Sequence, residues 1–363
     1  MGPDARWRRA VAILRAMKSG LHMVVLGAGI VGLFTALMLR QRGVAVTVFD
    51  PAAQAARQSS WAGGGIVSPL WPWDEPPAIQ QWAQAAHQVY PEWAARLRAD
   101  TGIDVEYRRT GIRWWLAEAE RAPAQAWHRR WGLPFTPCAD GLLSPELGQV
   151  RNPRLGRALA LAARAAGVDL RLGAKAVPLL RQGRVVGVQQ TAGPAVWADA
   201  VIVAAGAWSA EVLATVGLRC EVRPVKGQML LFSPPPDAPP PGPVQVSRAV
   251  YLIPRADGQV LVGSTLEHCG FDTRPTPEAR HGLHAAALAL SPALARYRLA
   301  GHWAGLRPGA AGAPQVGPTA VPGLWAHFGH FRNGITLAPA TAATLVDQLV
   351  DEVTGSPGCV QHG

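Results

Sequence analysis

Cysteine is scarce. Cys138, Cys220, Cys269 and Cys359 are the only four, far apart and without a CxxC pair. That spacing argues against a zinc site and offers no disulfide framework to a chain this long. Lysine is scarcer still: Lys18, Lys175 and Lys226 are the whole supply, and no run of five basic residues occurs. The formal charge is nevertheless +11, so arginine carries it, dispersed along the chain. A nucleic-acid surface concentrates its basic residues. Here the dispersal, beside abundant Ala, Gly and Pro, reads as compositional bias, and no nucleic-acid partner is expected. Long apolar runs are missing as well. Nothing reaches the roughly 18–20 apolar residues of a membrane-spanning helix. The N-terminal "AVAIL" is too short for a signal sequence, and no small-residue cleavage site follows it. We therefore expect a cytoplasmic chain with no membrane partner and an N-terminal extension over residues 1–21. His302, His327 and His330 have no carboxylate or cysteine at ligand spacing, so no metal is expected.

What is present is a nucleotide-binding pattern. In "MVVLGAGIVGLFTALMLRQRGVAVTVFD" the apolar run Met23–Leu26 reads as a buried strand. Gly27, Gly29 and Gly32 then spell G-x-G-x-x-G, Leu33–Arg42 is helix-like, and Val44–Phe49 is a second strand ending on Asp50. Gly27 suits a tight turn, Gly29 a close approach of backbone to pyrophosphate, and Gly32 close packing of helix on strand. Asp50 follows the last glycine by 18 residues, a spacing that suits ribose hydroxyls. The acid favours an unphosphorylated ribose, so NAD or FAD. The stretch "RQSSWAGGGIVSPLWPW" then adds the hydroxyls of Ser59 and Ser60 and a second backbone platform at Gly63–Gly65. A flat, wide ring system such as that of FAD needs such a platform; a flexible loop is the plainer alternative.

Residues 76–144 carry many tryptophans and prolines and no βαβ rhythm. Helix and strand resume over 152–177, a hairpin and a buried strand occupy 184–209, and 216–300 is strand-rich. The proline-rich segment 233–243 reads as a rigid surface loop. The fold class is therefore α/β: a Rossmann-like FAD-binding domain (22–75, 145–215, 300–356) interleaved with an antiparallel-sheet substrate domain (76–144, 216–299).

Seven short segments in order carry a family resemblance: the fingerprint above, "SSWAGGGIVSPLWPW", "VIVAAGAWS", "PVKGQML", "VYLIPRADGQVLVGST", "GLRPG" and "GHFRNGITLAPAT". From about Met23 to Val353 the chain resembles the glycine oxidase (ThiO-type) branch of the D-amino-acid oxidase family of FAD-dependent oxidoreductases. The resemblance implies noncovalent FAD. Its ligands would be Gly27, Gly29, Ile30, Val31, Gly32, Asp50, Ser59, Ser60, Gly64, Gly65, Ile66, Val177, Gly206 and His330, with the backbone of Asn333, Gly334 and Ile335. It also implies that Arg307 holds the substrate carboxylate, that Tyr251 adds a hydroxyl, that Arg332 faces the substrate and that Leu266 limits its size. The resemblance implies that no side chain is essential as an acid or base. The implied reaction is oxidative deamination of glycine, sarcosine or D-alanine by hydride transfer from Cα to the flavin, with oxygen as acceptor, in a homo-oligomer serving thiamine synthesis. Three readings stay open: a dehydrogenase with another electron acceptor, a flavin enzyme of tRNA modification, and a silent flavin-binding subunit. Residue by residue, Arg307 could instead be a salt-bridge partner, and Tyr251 an ordinary strand residue. Trp71 and Trp73 read as packing rather than a lid.

Overall fold

The computed structural model describes residues 20–239 and 241–354. Residues 1–19 of the expected extension, and 355–356 at the end of the expected nucleotide domain, lie outside the described residues. The fingerprint folds as its residues dictate: strand His22–Leu26, helix Ile30–Gln41 and strand Ala45–Asp50. His22–Leu26 pairs in parallel with Ala45–Asp50 on one side and Ala200–Val203 on the other. Asp169–Leu172 and Leu324–Phe328 extend the parallel sheet outward, and Gln315–Pro318 closes one edge antiparallel. The first strand is thus central, which puts the glycine turn at the carboxyl edge of the sheet where the strand order reverses.

The central strands read as continuous apolar runs because both faces are covered. Met23 and Val25 pack with Leu33, Leu159, Leu345 and Leu349 from three helices, while Val24 and Leu26 pack with Val185 and Val188 of a three-stranded sheet. The closing helix, Gly334–Thr354, lies among the buried helices with its N-terminus at the carboxyl edge of the sheet.

A second sheet has eight strands, ordered from Arg298–Gly309 through Arg223–Ser233, Val260–Gly263, Tyr251–Pro254, Val244–Val246, Ile112–Trp115 and Gly141–Ser144 to Thr136–Cys138. It is antiparallel except for one parallel pair, Val244–Val246 with Ile112–Trp115. The period of two divides the strand Arg223–Ser233 cleanly. Leu230 and Phe232 face the helix Pro277–Leu290 through Leu283 and Ala287, and Gly227 and Met229 face the nucleotide domain.

Two expected domain boundaries move. The strand Arg298–Gly309 pairs along its length with Arg223–Ser233, so the boundary at 300 falls inside an element of the second sheet. The tryptophan-rich excursion begins with the 25-residue helix Pro77–Thr101, which buries Ala86, Tyr90 and Leu97 in the nucleotide-domain core. Composition located the excursion; only the partner surface shows which core it joins. Trp71 and Trp73 pack edge to face, 5.8 Å apart, and Trp73 continues onto Trp114 in the second domain's core.

Candidate active site

A cavity of about 640 Å³ runs between the two sheets. Every residue singled out as cofactor- or substrate-binding lines it, except Gly32 and Leu266. Gly32 acts by packing: a Cβ there would sit 2.0 Å from the carbonyl oxygen of Gly27, so nothing larger lets helix and turn meet. Leu266 corrects the sequence expectation. Its neighbours turn toward the strand Arg223–Ser233, Thr265 accepting the N–H of Gln228 at 2.9 Å and Glu267 bridging Lys226 through both backbone groups. The residue between them is directed outward, and Leu266 is 46% exposed.

At the fingerprint end, the helix Ile30–Gln41 has no side-chain cap on Gly29. The hydroxyl oxygen of Ser60 accepts the Ile30 N–H at 3.0 Å, which leaves its own proton free for an anion. Ser59 differs from expectation, since its hydroxyl donates to the Leu306 carbonyl. The Asp50 carboxylate accepts N–H groups of Ala28 (2.7 Å) and Ala52 (2.8 Å), one per oxygen. Each oxygen keeps a lone pair for a ribose hydroxyl. Burial nonetheless pushes the Asp50 carboxyl above its usual range. Val177 and Gly206 line the cavity beside Lys175, Trp208 and Glu211, which the sequence reading did not single out.

In the middle lies the Gly63–Gly65 wall. Gly65 has φ +79°, and a Cβ there would come within 2.2 Å of the Val150 carbonyl and 2.4 Å of Asn152 Oδ1. A Cβ on Gly64 would meet Ile253 and Tyr251. The wall is bare backbone because Asn152 and the Val150 carbonyl crowd Gly63 and Gly65, and Ile253 and Tyr251 of the second sheet crowd Gly64.

At the far end stand Arg307, Arg332 and Tyr251. Arg307 Nη2 donates to Ser264 Oγ at 2.6 Å and Nη1 to the Thr265 carbonyl at 3.1 Å. These bonds hold the guanidinium over Gly227, whose missing Cβ would lie 2.1 Å from it. The loop that supplies them is itself anchored: Gln228 donates to Glu267 at 2.8 Å, and Lys226 pairs with Glu267 at 3.1 Å. His302 Nε2 meets Gln228 Oε1 at 2.9 Å in the same cluster. Arg332 lies over Phe331, 5.1 Å from the ring centroid. Among the described residues neither arginine has an ion-pair partner within 4.0 Å. Tyr251 Oη donates to Met229 Sδ at 3.2 Å, a weak acceptor that a better one can replace.

Facing this end is the N-terminus of the helix Gly334–Thr354, with Asn333, Gly334 and Ile335 on the cavity. The Asn333 N–H is taken by the His330 carbonyl at 2.8 Å, so the free N–H groups that carry the positive end of the helix dipole begin at Gly334. The position is over-determined. Asn333 Nδ2 donates to Glu75 (3.0 Å), Tyr90 donates to the Ile335 carbonyl (2.6 Å), and Thr336 donates to the Ile66 carbonyl (3.1 Å). Beneath it runs a buried chain: His330 Nε2 to Thr341 (3.0 Å), Thr341 to His327 Nε2 (3.0 Å), and His327 Nδ1 to Thr35 (2.8 Å). Thr35 also donates to the Val31 carbonyl, so one direction satisfies every hydroxyl with both rings neutral. Burial pushes His330 down to about 3, and holds His327 well below the usual imidazole range.

The donor set fits a flavin dinucleotide: a helix N-terminus and free serine proton for phosphates, an acid for ribose, a side-chain-free wall for a flat ring, and a second helix N-terminus for the ring's developing negative charge. At the far end, Arg307 and Arg332 then remain for a small carboxylate. Sequence reasoning missed Gly227 and Met229 in the cavity wall and Arg255 behind it. Each sat in a quoted motif, and strand alternation marked the first two as one face.

Comparison with known proteins agrees. The family model described as "DAO: FAD dependent oxidoreductase" matches residues 22–348. A glycine oxidase from Pseudomonas putida is 42% identical over 350 residues, covering 90% of this chain and 94% of the relative. The bifunctional protein ThiO/ThiG of a Nostoc species is 32% identical over 91% of this chain, which spans 53% of that longer protein. The crystal structure of glycine oxidase from Geobacillus kaustophilus superposes with a TM-score of 0.83 at 26% identity, covering 94% of this chain and 97% of that one.

Proposed function

The chain belongs to the DAO family of FAD-dependent oxidoreductases, and we propose that within it this protein is a glycine oxidase. It converts glycine, and by the same chemistry sarcosine or D-alanine, with oxygen and water to the 2-oxo acid, ammonia or methylamine, and hydrogen peroxide. The observation that carries this reading is the pair Arg307 and Arg332, unneutralised and sharing a cavity end with a helix N-terminus. FAD, held without a covalent bond, would supply the hydride acceptor and the route for electrons to oxygen.

The chain's own groups bind and orient. Arg307 presents a planar fork that fits a carboxylate in two parallel bonds. Arg332 adds charge from the turn before the helix Gly334–Thr354, and Tyr251 can turn its hydroxyl from Met229 to the substrate. With the carboxylate fixed, Cα is aimed along the cavity, and rate comes from orientation more than from proton transfer. The described residues at this end include no carboxylate or lysine on the cavity wall, and His330 is neutral with Nε2 committed to Thr341. The positive end of the helix Gly334–Thr354 stabilises the negative charge that reduction places nearby.

The 32% likeness to a ThiO/ThiG protein supports a supply role in thiamine synthesis. The same reading takes the enzyme to be a cytoplasmic homo-oligomer without nucleic acid; among the described residues no helix is long and apolar enough to cross a membrane. Light scattering on purified protein tests the assembly. The decisive experiment is an air-oxidation screen of glycine, sarcosine and D-amino acids on the yellow protein, reading peroxide and flavin released by acid. Peroxide with glycine supports an oxidase. Turnover only with an artificial acceptor would make it a dehydrogenase, and colour retained in the acid pellet would overturn noncovalent binding.

A further inference from the structure

Arg255 follows the strand Tyr251–Pro254 in the turn "PRADG", where a solvated arginine would be unremarkable, yet it is 3% exposed. Its Nη2 donates to the Gly64 carbonyl at 2.7 Å, and Nη1 donates to the Val150 carbonyl at 2.8 Å and to Gln149 Oε1 at 2.6 Å. Val150 N–H returns a bond to the Gly65 carbonyl at 2.8 Å, and the Gln149 amide donates to the Pro254 carbonyl at 2.8 Å. The Gly64–Gly65 wall, segment 149–150 and the strand end therefore close around one guanidinium.

That guanidinium has no ion-pair partner among the described residues, and the more distant Glu106 and Asp257 act on it against the like charge of Arg151. The neighbouring acids pair elsewhere: Arg151 takes Glu106 at 3.2 Å and Asp257 at 2.8 Å, and Arg154 takes Glu106 at 3.1 Å. Among the described residues no carboxylate lies within 4.0 Å of Arg255, and its Nε has no acceptor at all. A buried cation held only by carbonyl and amide oxygens is costly, and a neutral donor could make much of the same stitching. Burial pulls the Arg255 pKa down to about 10, which still leaves it charged at neutral pH. The charge sits on the Gly64 carbonyl, and Gly64 itself packs against Ile253 and against Tyr251 at the substrate end of the cavity.

We infer that Arg255 is a positioning residue that fixes the Gly63–Gly65 wall and, through its buried charge without a direct ion-pair partner, favours negative charge on the ring lying against that wall. The inference rests on the FAD-dependent reading above. A buried unit charge acting over roughly 10 Å at an effective dielectric near 20 shifts such an equilibrium on the order of tenfold.

The test uses full-length apoprotein of the wild type, Arg255→Gln and Arg255→Lys, titrated with FAD, melted, and reduced in equilibrium with a reference dye. Arg255→Gln should bind FAD more weakly and shift the reduction equilibrium on the order of tenfold toward oxidised flavin. Arg255→Lys should bind FAD as weakly but hold the wild-type equilibrium at neutral pH. Being buried, the lysine should lose its proton as pH rises, adding a step to the pH profile that the wild type lacks. An unchanged reduction equilibrium in FAD-loaded Arg255→Gln overturns the inference. If that variant does not fold, a pH profile of Arg255→Lys without the added step overturns it. Wild-type apoprotein that takes up no FAD sinks the functional reading itself, and the inference with it.

Discussion

Arg332 stands close enough to Arg307 for the two charges to repel. Burial, and then the Arg307 charge, pull the Arg332 pKa below the usual arginine range, against a smaller opposing pull from Tyr251 and Glu75. Two like charges brought together without an acid between them are unfavourable unless an anion joins them. That pairing supports the proposed reading of a ligand that brings its own negative charge.

Removing Arg307 should therefore cost more than removing an ordinary surface arginine. Arg307→Ala leaves a substrate carboxylate desolvated beside a single cation, at about 3–5 kcal/mol if the site is dry. We expect kcat/KM for glycine to fall on the order of 10²–10³-fold or more, with flavin content unchanged. Lysine should restore only part of this, because an ammonium cannot make two parallel bonds. A near-normal KM in Arg307→Ala would leave Arg332 as the carboxylate's main partner.

Gly227→Ala tests the same contact without touching the charge. The new methyl would collide with the Arg307 guanidinium, which is the end of a flexible side chain and can move. Its hydrogen bonds to Ser264 and Thr265 should break, and kcat/KM should fall by roughly ten- to a hundredfold through misplacement alone. FAD affinity and Tm should hardly change. Full activity in this variant would contradict the geometry at Arg307.

Leu266→Ala should do little. The side chain is outside the cavity and largely exposed, so stability should stay within about 0.5 kcal/mol of wild type. The ratio of activities on glycine, sarcosine and D-alanine should be unchanged. A new preference for larger substrates would mean that the loop closes inward during turnover.

The buried histidines set a pH dependence. His330, at about 3, and His327 have pKa values depressed from an ordinary value of 6.5. Below 6.5 the unfolded chain binds protons that the folded chain refuses, so stability present above that pH is lost as pH falls toward 3. The His330 ring contributes about 1.4 kcal/mol per pH unit across that window, and His327 acts in the same direction. The Tm of the apoprotein should drop between pH 7 and pH 5, and by less in His327→Asn. Equal slopes in the two proteins would rule out His327 as a contributor.

The fingerprint was legible because its requirements are local. Gly27, Gly29, Gly32 and Asp50 are spaced by the geometry of one strand, turn and helix, and the structure departs from the expected strand and helix limits by a few residues at most. The Gly63–Gly65 wall was legible for a similar reason, since consecutive glycines mark backbone that something presses against. Leu266 was misread because the side of a short extended segment depends on its pairing. Glu267 bridges Lys226, and that pairing turns Leu266 away from the site. Arg255 was overlooked because "PRADG" carries the composition of a solvated turn, whereas the chain folds Gln149 and Val150 onto it from more than a hundred residues away.

By itself the sequence determined the nucleotide-binding α/β half, its glycine turn and acid, and an arginine on each of two late segments. Periodicity and turn chemistry act within a few residues, so one strand of text contains them. Only the tertiary structure decided that Arg307 and Arg332 share one cavity, that Gly227 makes room for the first, and that the strand Arg298–Gly309 belongs to the second sheet. Those outcomes depend on which faces of distant segments are buried against each other. Charge pairing, desolvation and close approach are properties of that packing, and no single segment carries them alone.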